Sequence, residues 1–251
     1  MILPLLAIGA IGGLLSGLFG IGGGLVMVPL MMAWLRFDQR RASATSLFAI
    51  IPPALLSASL YGVRGEIDLL VAAVIAVGAI AGTPLGALLL RHISLVWLKW
   101  LFIAGLLAAA VRFVVVVPDR EGAIEYTVAT VAGLVALGLA MGTLAGLLGV
   151  GGGVVAVPVL IAMFGMGDLV AKGSSLLAMI PGAIAGTVPN LRASLVRWQD
   201  ALPMGLAAAL MSLVGVWLAF LTPPVVSGWL FALLLVGVTV QMALRPATTR
   251  D

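Results

Sequence analysis

A run of three consecutive glycines occurs twice in this chain, each time inside a stretch too apolar to face water. Residues 13–29 read GLLSGLFGIGGGLVMVP and residues 142–158 read GTLAGLLGVGGGVVAVP. The two lie 129 positions apart and agree at 11 of 17 places, among them Gly20 and Gly149, Gly22–Gly24 and Gly151–Gly153, and Pro29 and Pro158. Self-similarity at a fixed spacing marks a duplicated unit. Three adjacent glycines cost roughly 1 kcal/mol each against alanine in a helix interior, so each run predicts a helix break. A break at membrane depth leaves backbone that only protein or a water-filled cavity can cover. We read the reason for it as a binding site.

Composition fixes the surroundings of that site. Of 251 residues, 63% are hydrophobic and only 9% charged, against about 25% charged in a soluble domain. Mean hydropathy is +1.28. The chain is therefore an all-α integral membrane protein with lipid as its neighbour. Its net charge of +4 is not gathered into a basic stripe, which argues against a nucleic-acid partner. There are no cysteines, so disulfides, thiol chemistry and thiolate metal sites are excluded. Neither a metal nor a cofactor is expected. Met1–Pro4 carries no basic n-region, and the segment is read as retained structure.

The uncharged stretch 3–34 exceeds the ~20 residues that cross a bilayer once. The glycine break divides it into helix A (3–19) and helix B (24–35). Helix C (42–61) is interrupted at Pro52–Pro53, and D (67–90) and E (94–116) complete a first repeat over 1–117. A hydrophilic linker, 118–125, leads to a second repeat over 126–251. Its helices are A′ (126–148), B′ (153–165), C′ (171–190), D′ (200–221) and E′ (225–244). Pro181 follows Pro52 by 129 positions. A few extra residues are expected around Pro189–Arg197, before a turn RWQD that resembles Arg64–Asp68.

Basic residues collect on the cytoplasmic side of membrane proteins. If each A–B pair enters and returns, nine of the thirteen Lys and Arg fall inside, leaving Arg64, Arg112, Arg120 and Lys172 outside. Three net crossings per half then invert the second repeat and place both termini in the cytoplasm of a bacterial-type inner membrane. Paired broken segments in inverted repeats are a signature of secondary transporters. The re-entrant glycine hairpins would meet at a central site, with C and C′ broken at Pro52 and Pro181 and the prolines Pro29 and Pro158 following the glycines.

Helices B and B′ both begin at the glycines, so their free N–H groups and positive dipole ends favour an anion. Every Asp and Glu maps to a loop, helix end or tail, and no intramembrane carboxylate is expected. The candidate substrate-binding residues are Gly20, Gly22, Gly23, Gly24, Gly149, Gly151, Gly152 and Gly153. Thr45, Ser46, Ser174 and Ser175 would add hydroxyls, and Lys172 a positive charge. Plainer readings stand beside these. Gly9 and Gly13 suit close helix packing, Thr45 and Ser174 would cap C and C′, and Lys172 and Arg192 would snorkel to the interface. His92 would sit at the interface and Trp34, Trp97, Trp100 and Trp229 in an aromatic belt.

At these residues the chain resembles the sulfite exporter TauE/SafE family. The likeness rests on G-x-GGG-x4-P at Gly20–Pro29 and Gly149–Pro158, on Ala42–Leu47 and Ala171–Leu176, on Gly65–Asp68, and on Gly82–Leu90 followed by Arg91. It implies a transporter of a small anion, often a sulfur oxyanion or organosulfonate. Lys172 opposite Ser43, and Thr222–Pro224 opposite Arg91–His92, depart from equality between the halves. An intramembrane enzyme is disfavoured, since the single histidine has no serine partner and metal ligands are too few. A passive pore and a carrier of non-sulfur carboxylates remain alternatives. Glycine and alanine faces on D and E would permit a homodimer.

Overall fold

The computed structural model describes residues 2–89 and 124–244, together with Trp100, Ile103, Ala104, Leu107, Val111 and Gly122. Among these residues all regular structure is helical. The first part of the chain forms α1 (Ile2–Phe19), α2 (Gly24–Trp34), α3 (Gln39–Ala49), α4 (Ile51–Val63) and α5 (Leu69–Leu89). The second forms α6 (Val128–Leu148), α7 (Gly153–Ala162), α8 (Asp168–Arg192), α9 (Trp198–Leu221) and α10 (Pro224–Leu244). Six helical segments are long and apolar enough to cross a membrane: α1, the α3–α4 stretch, α5, α6, α8 and α9. Large apolar side chains such as Leu69, Val77, Leu210 and Leu233 are more than 60% exposed, a surface that suits lipid and not water. Most of expected helix E, Arg91–His92, Trp97 and most of the linker lie outside the described residues, as do Lys99, Arg112, Arg120, Arg245 and Arg250.

Helix ends repeat at the spacing of the glycine motif. α1 and α6 end at Phe19 and Leu148, and α2 and α7 start at Gly24 and Gly153. Gln39 and Asp168 open the third elements, Val63 and Arg192 close them, and Leu69 and Trp198 open the next, each pair 129 apart. This corrects the expectation of extra residues near Pro189–Arg197. The counterpart of the Arg64–Asp68 turn is 193–197, where Ser194 takes the positive φ of 55° that Gly65 takes at 76°. Asp200 therefore has no match in Asp68. It lies in the first turn of α9, where its Oδ2 accepts a 2.7 Å hydrogen bond from Arg41 Nη2.

The prolines behave differently from expectation. Pro29, Pro158 and Pro181 lie inside α2, α7 and α8, and only at Ile50, ahead of Pro52 in the first turn of α4, is C divided. A proline removes one backbone donor, which packing on neighbouring helices can absorb without unwinding. Three glycines with positive φ cannot be absorbed, and there the helices end. α3 also starts earlier than C was expected to, because Asp38 caps it: its Oδ1 accepts the Arg41 N–H at 2.9 Å. Thr45 and Ser174 consequently lie inside their helices and cap neither.

Close packing of backbone on backbone joins the two parts. Glycines of α1 (Gly9, Gly13, Gly17) rest against the carbonyls of Met204, Ala208 and Ser212 on α9, with no room for a Cβ. Gly138 and Gly142 of α6 rest in the same way against Ile75 and Ala79 of α5. Small residues that let helices approach closely are the usual means of association where lipid removes the hydrophobic incentive.

Candidate functional site

Each glycine run is a turn that only glycine makes easily. Gly20, Gly22 and Gly23 have φ of 73°, 79° and 74°, and Gly149, Gly151 and Gly152 have 70°, 83° and 73°, in the left-handed region that costs other residues about 1–2 kcal/mol. Gly24 and Gly153 are helical and meet a different need. A Cβ on Gly24 would stand 2.8 Å from the Gly149 carbonyl oxygen and 2.9 Å from Ser46 Oγ. A Cβ on Gly153 would stand 2.9 Å from the Gly20 carbonyl oxygen and from Ile21 Cα. The two runs therefore face each other, and the first residue of each short helix touches the opposite turn.

These helix starts are short of side-chain partners. The N-caps of α2 and α7 are Gly23 and Gly152, which offer no side-chain acceptor. Val26 and Met27 N–H bond back to the Gly23 carbonyl, and Val155 and Ala156 N–H to that of Gly152. The N–H groups ahead of them in the first turn have no intrahelical acceptor. Two helix dipoles thus present their positive ends within a few ångströms of each other. Ser46 Oγ stands beside Gly24; Ser16, Thr45, Ser46 and Ser175 are fully buried, and none of their hydroxyls has a hydrogen-bond partner among the described residues. Leaving a buried hydroxyl unsatisfied costs about 1–3 kcal/mol. Ser174, also buried, is engaged structurally, since its Oγ accepts the Asp68 N–H at 2.9 Å.

The flanking contacts repeat with the register. Gly20 packs on Lys172, with Cα 2.7 Å from where its Cβ would be, and Gly149 packs on Ser43, the equivalent position. The chemistry differs, however. Ser43 Oγ donates to the Leu148 carbonyl at 2.9 Å and ties down the second turn. Lys172 Nζ donates instead to Asp168 Oδ2 at 3.0 Å and to Ser227 Oγ at 2.8 Å. The Lys172 and Asp168 side chains are 4% and 2% exposed. Lys172 does not snorkel, and the structure has a buried carboxylate where none was expected. The helix begins at Asp168, three residues before C′ was expected to, and so carries both charges inward one turn apart. Arg192, by contrast, is exposed in the last turn of α8.

Two residues at the site had no sequence signal of their own. Met179 Cε stands within contact of both Gly22 and Gly151, and Ile50 Cδ1 lies 2.7 Å from the Cβ position of Gly151. Ile50 and Met179 are 129 apart and each precedes its proline by two, so the repeat register marks them as equivalent to each other but not as neighbours of the glycines.

Six candidate spans around two apposed helix breaks, with backbone in place of charged side chains at the centre, are those of a multi-pass, all-α membrane protein. Within that class, the chain belongs to the sulfite exporter TauE/SafE family, whose pattern matches residues 1–132 and 134–251. It is 38% identical over 89 residues to the probable membrane transporter protein YunE of Bacillus subtilis, covering 36% of this chain and 33% of that one. It is 30% identical over 174 residues to the probable membrane transporter protein MJ0441 of Methanocaldococcus jannaschii, covering 64% of this chain and 62% of that one. The chain thus spans less than two thirds of the length of either relative. No solved structure matches it.

Proposed function

We propose that this protein is a secondary transporter that moves a small anion, a sulfur oxyanion or organosulfonate, by alternating access between two inverted repeats. The observation that carries this reading is the apposition of two glycine-capped helix starts beside the buried Ser46 hydroxyl. Backbone N–H groups and hydroxyls suit an oxyanion, which accepts several hydrogen bonds at once. The relatives' description as probable membrane transporters supports the same class.

The contact pattern supports the relation between repeats. Gly9 meets Met204 while Gly138 meets Ile75; Gly13 meets Ala208 while Gly142 meets Ala79; Gly22 meets Met179 while Gly151 meets Ile50. Each pair is the other with both members shifted by 129, the reciprocity of a two-fold contact. With an odd number of crossings in each half, that axis lies in the membrane plane.

Flux into proteoliposomes tests the proposal, with sulfite, thiosulfate, sulfoacetate, acetate, phosphate and zwitterionic taurine, each with and without a pH gradient. Saturable flux of a sulfur oxyanion that Gly22→Leu or Gly151→Leu removes is the expected result. Flux of carboxylates alone would overturn the sulfur assignment, and non-saturating conductance would replace the carrier with a pore.

A further inference from the structure

We infer that Met179 is the movable cover of the glycine site and that its bulk sets the largest anion the site accepts. This rests on reading the facing glycine turns as the anion site. Met179 is 1% exposed, and its Cε fills the space that a side chain on either Gly22 or Gly151 would need. The two turns are therefore separated there by the width of one methyl group. The Gly22 Cβ position is also 2.8 Å from the Met179 sulfur, so the whole end of the side chain lies over the first turn. An anion that lies between the turns and is bound by both must displace this group.

The mirrored position makes Met179 the part that moves. Ile50 covers the second turn at 2.7 Å but stands 4.0 Å from the Cβ position of the first. Isoleucine is β-branched and stiff at χ1, whereas methionine is unbranched, with three rotatable bonds and a polarizable end. Equal slots filled by a stiff side chain and a flexible one give a fixed wall and a hinged cover. α8 remains helical through this region, so swinging the thioether aside needs no backbone change. The size limit then follows from volume: in an apolar pocket, each methylene added or removed shifts discrimination by about tenfold or more.

The test compares flux of sulfite with that of bulkier propanesulfonate in proteoliposomes of the wild type, Met179→Leu, Met179→Val and Met179→Ala. Shortening the side chain to Val and then Ala raises the ratio of propanesulfonate to sulfite kcat/KM stepwise, by at least about tenfold overall, while Leu leaves it near the wild-type value. The chain has no cysteine, so Met179→Cys adds a single reporter thiol. A membrane-impermeant charged thiol reagent labels it, and excess sulfoacetate slows the labelling. Wild-type flux with an unchanged selectivity ratio in both Val and Ala variants overturns the role of Met179 and leaves the transport reading standing. A thiol in the Met179→Cys variant that stays unlabelled in transporting protein also overturns it. No flux of either sulfonate or sulfite by folded wild-type protein overturns the transport reading itself.

Discussion

At the scale of the residue, glycine serves two different physical needs in the same run. Gly65 also has positive φ, at 76°, but a Cβ there meets nothing within 4 Å. Gly65→Ala should therefore incur only the left-handed strain of about 1–2 kcal/mol and keep its transport rate. Gly24→Ala and Gly153→Ala carry no such strain, yet they press a methyl onto the facing turn. They should cost about 1–3 kcal/mol as overpacking and remove transport, measured as unfolding midpoint and flux on the same samples. Normal flux in Gly24→Ala would show that the turns need not touch. The buried ion pair makes a second prediction. Asp168→Asn or Lys172→Met alone leaves an unmatched group and should destabilise by about 3–5 kcal/mol. Replacing both, as Asp168→Leu with Lys172→Met, should recover most of that loss in thermal unfolding. A double variant as unstable as the singles would give the pair a role beyond mutual neutralisation.

At the scale of the element, the glycine stripes of α1 and α6 pack in the same way on different partners. Gly13 abuts the Ala208 carbonyl and Gly142 the Ala79 carbonyl. Gly13→Ile and Gly142→Ile should each force their helix pair apart and lower the unfolding midpoint by similar amounts. A midpoint lowered by only one of the two would show that the halves are not mechanically equal. Helix ends were legible where the sequence alone makes helix impossible, as at Gly20–Gly23 and Gly149–Gly152. They were misread at Pro29, Pro158 and Pro181, where a proline suggested a break and the helix runs on. Pro181 removes one bond from a helix of 25 residues that is packed by its neighbours, whereas three residues with positive φ within four positions cannot lie in a helix at all.

At the scale of the whole molecule, the 129-residue register places Gly65 and Ser194 at equivalent turns, both exposed. In an inverted pair of repeats these turns lie on opposite faces of the membrane. Single-cysteine variants Gly65→Cys and Ser194→Cys should react with an impermeant thiol reagent from opposite sides of oriented vesicles. Labelling from the same side would leave a duplication without inversion.

Residue order was enough to show that this is a membrane bundle, that it is duplicated at 129, that four helices end or begin at two glycine turns, and that Gly9 and Gly13 pack helices. Each of these follows from local composition, backbone freedom or repetition, none of which needs a distant partner. Packing was required to bring the two turns into contact, to cover them with Met179 and Ile50, and to turn Lys172 to Asp168 and Ser227 and not to the glycines. It also left the Ser46 hydroxyl unpaired beside the turns and those of Thr45 and Ser175 buried and unpaired, while engaging Ser174 with Asp68. Those outcomes depend on which residues meet after the helices pack, and no property of a residue or its sequence neighbours specifies what will stand opposite it.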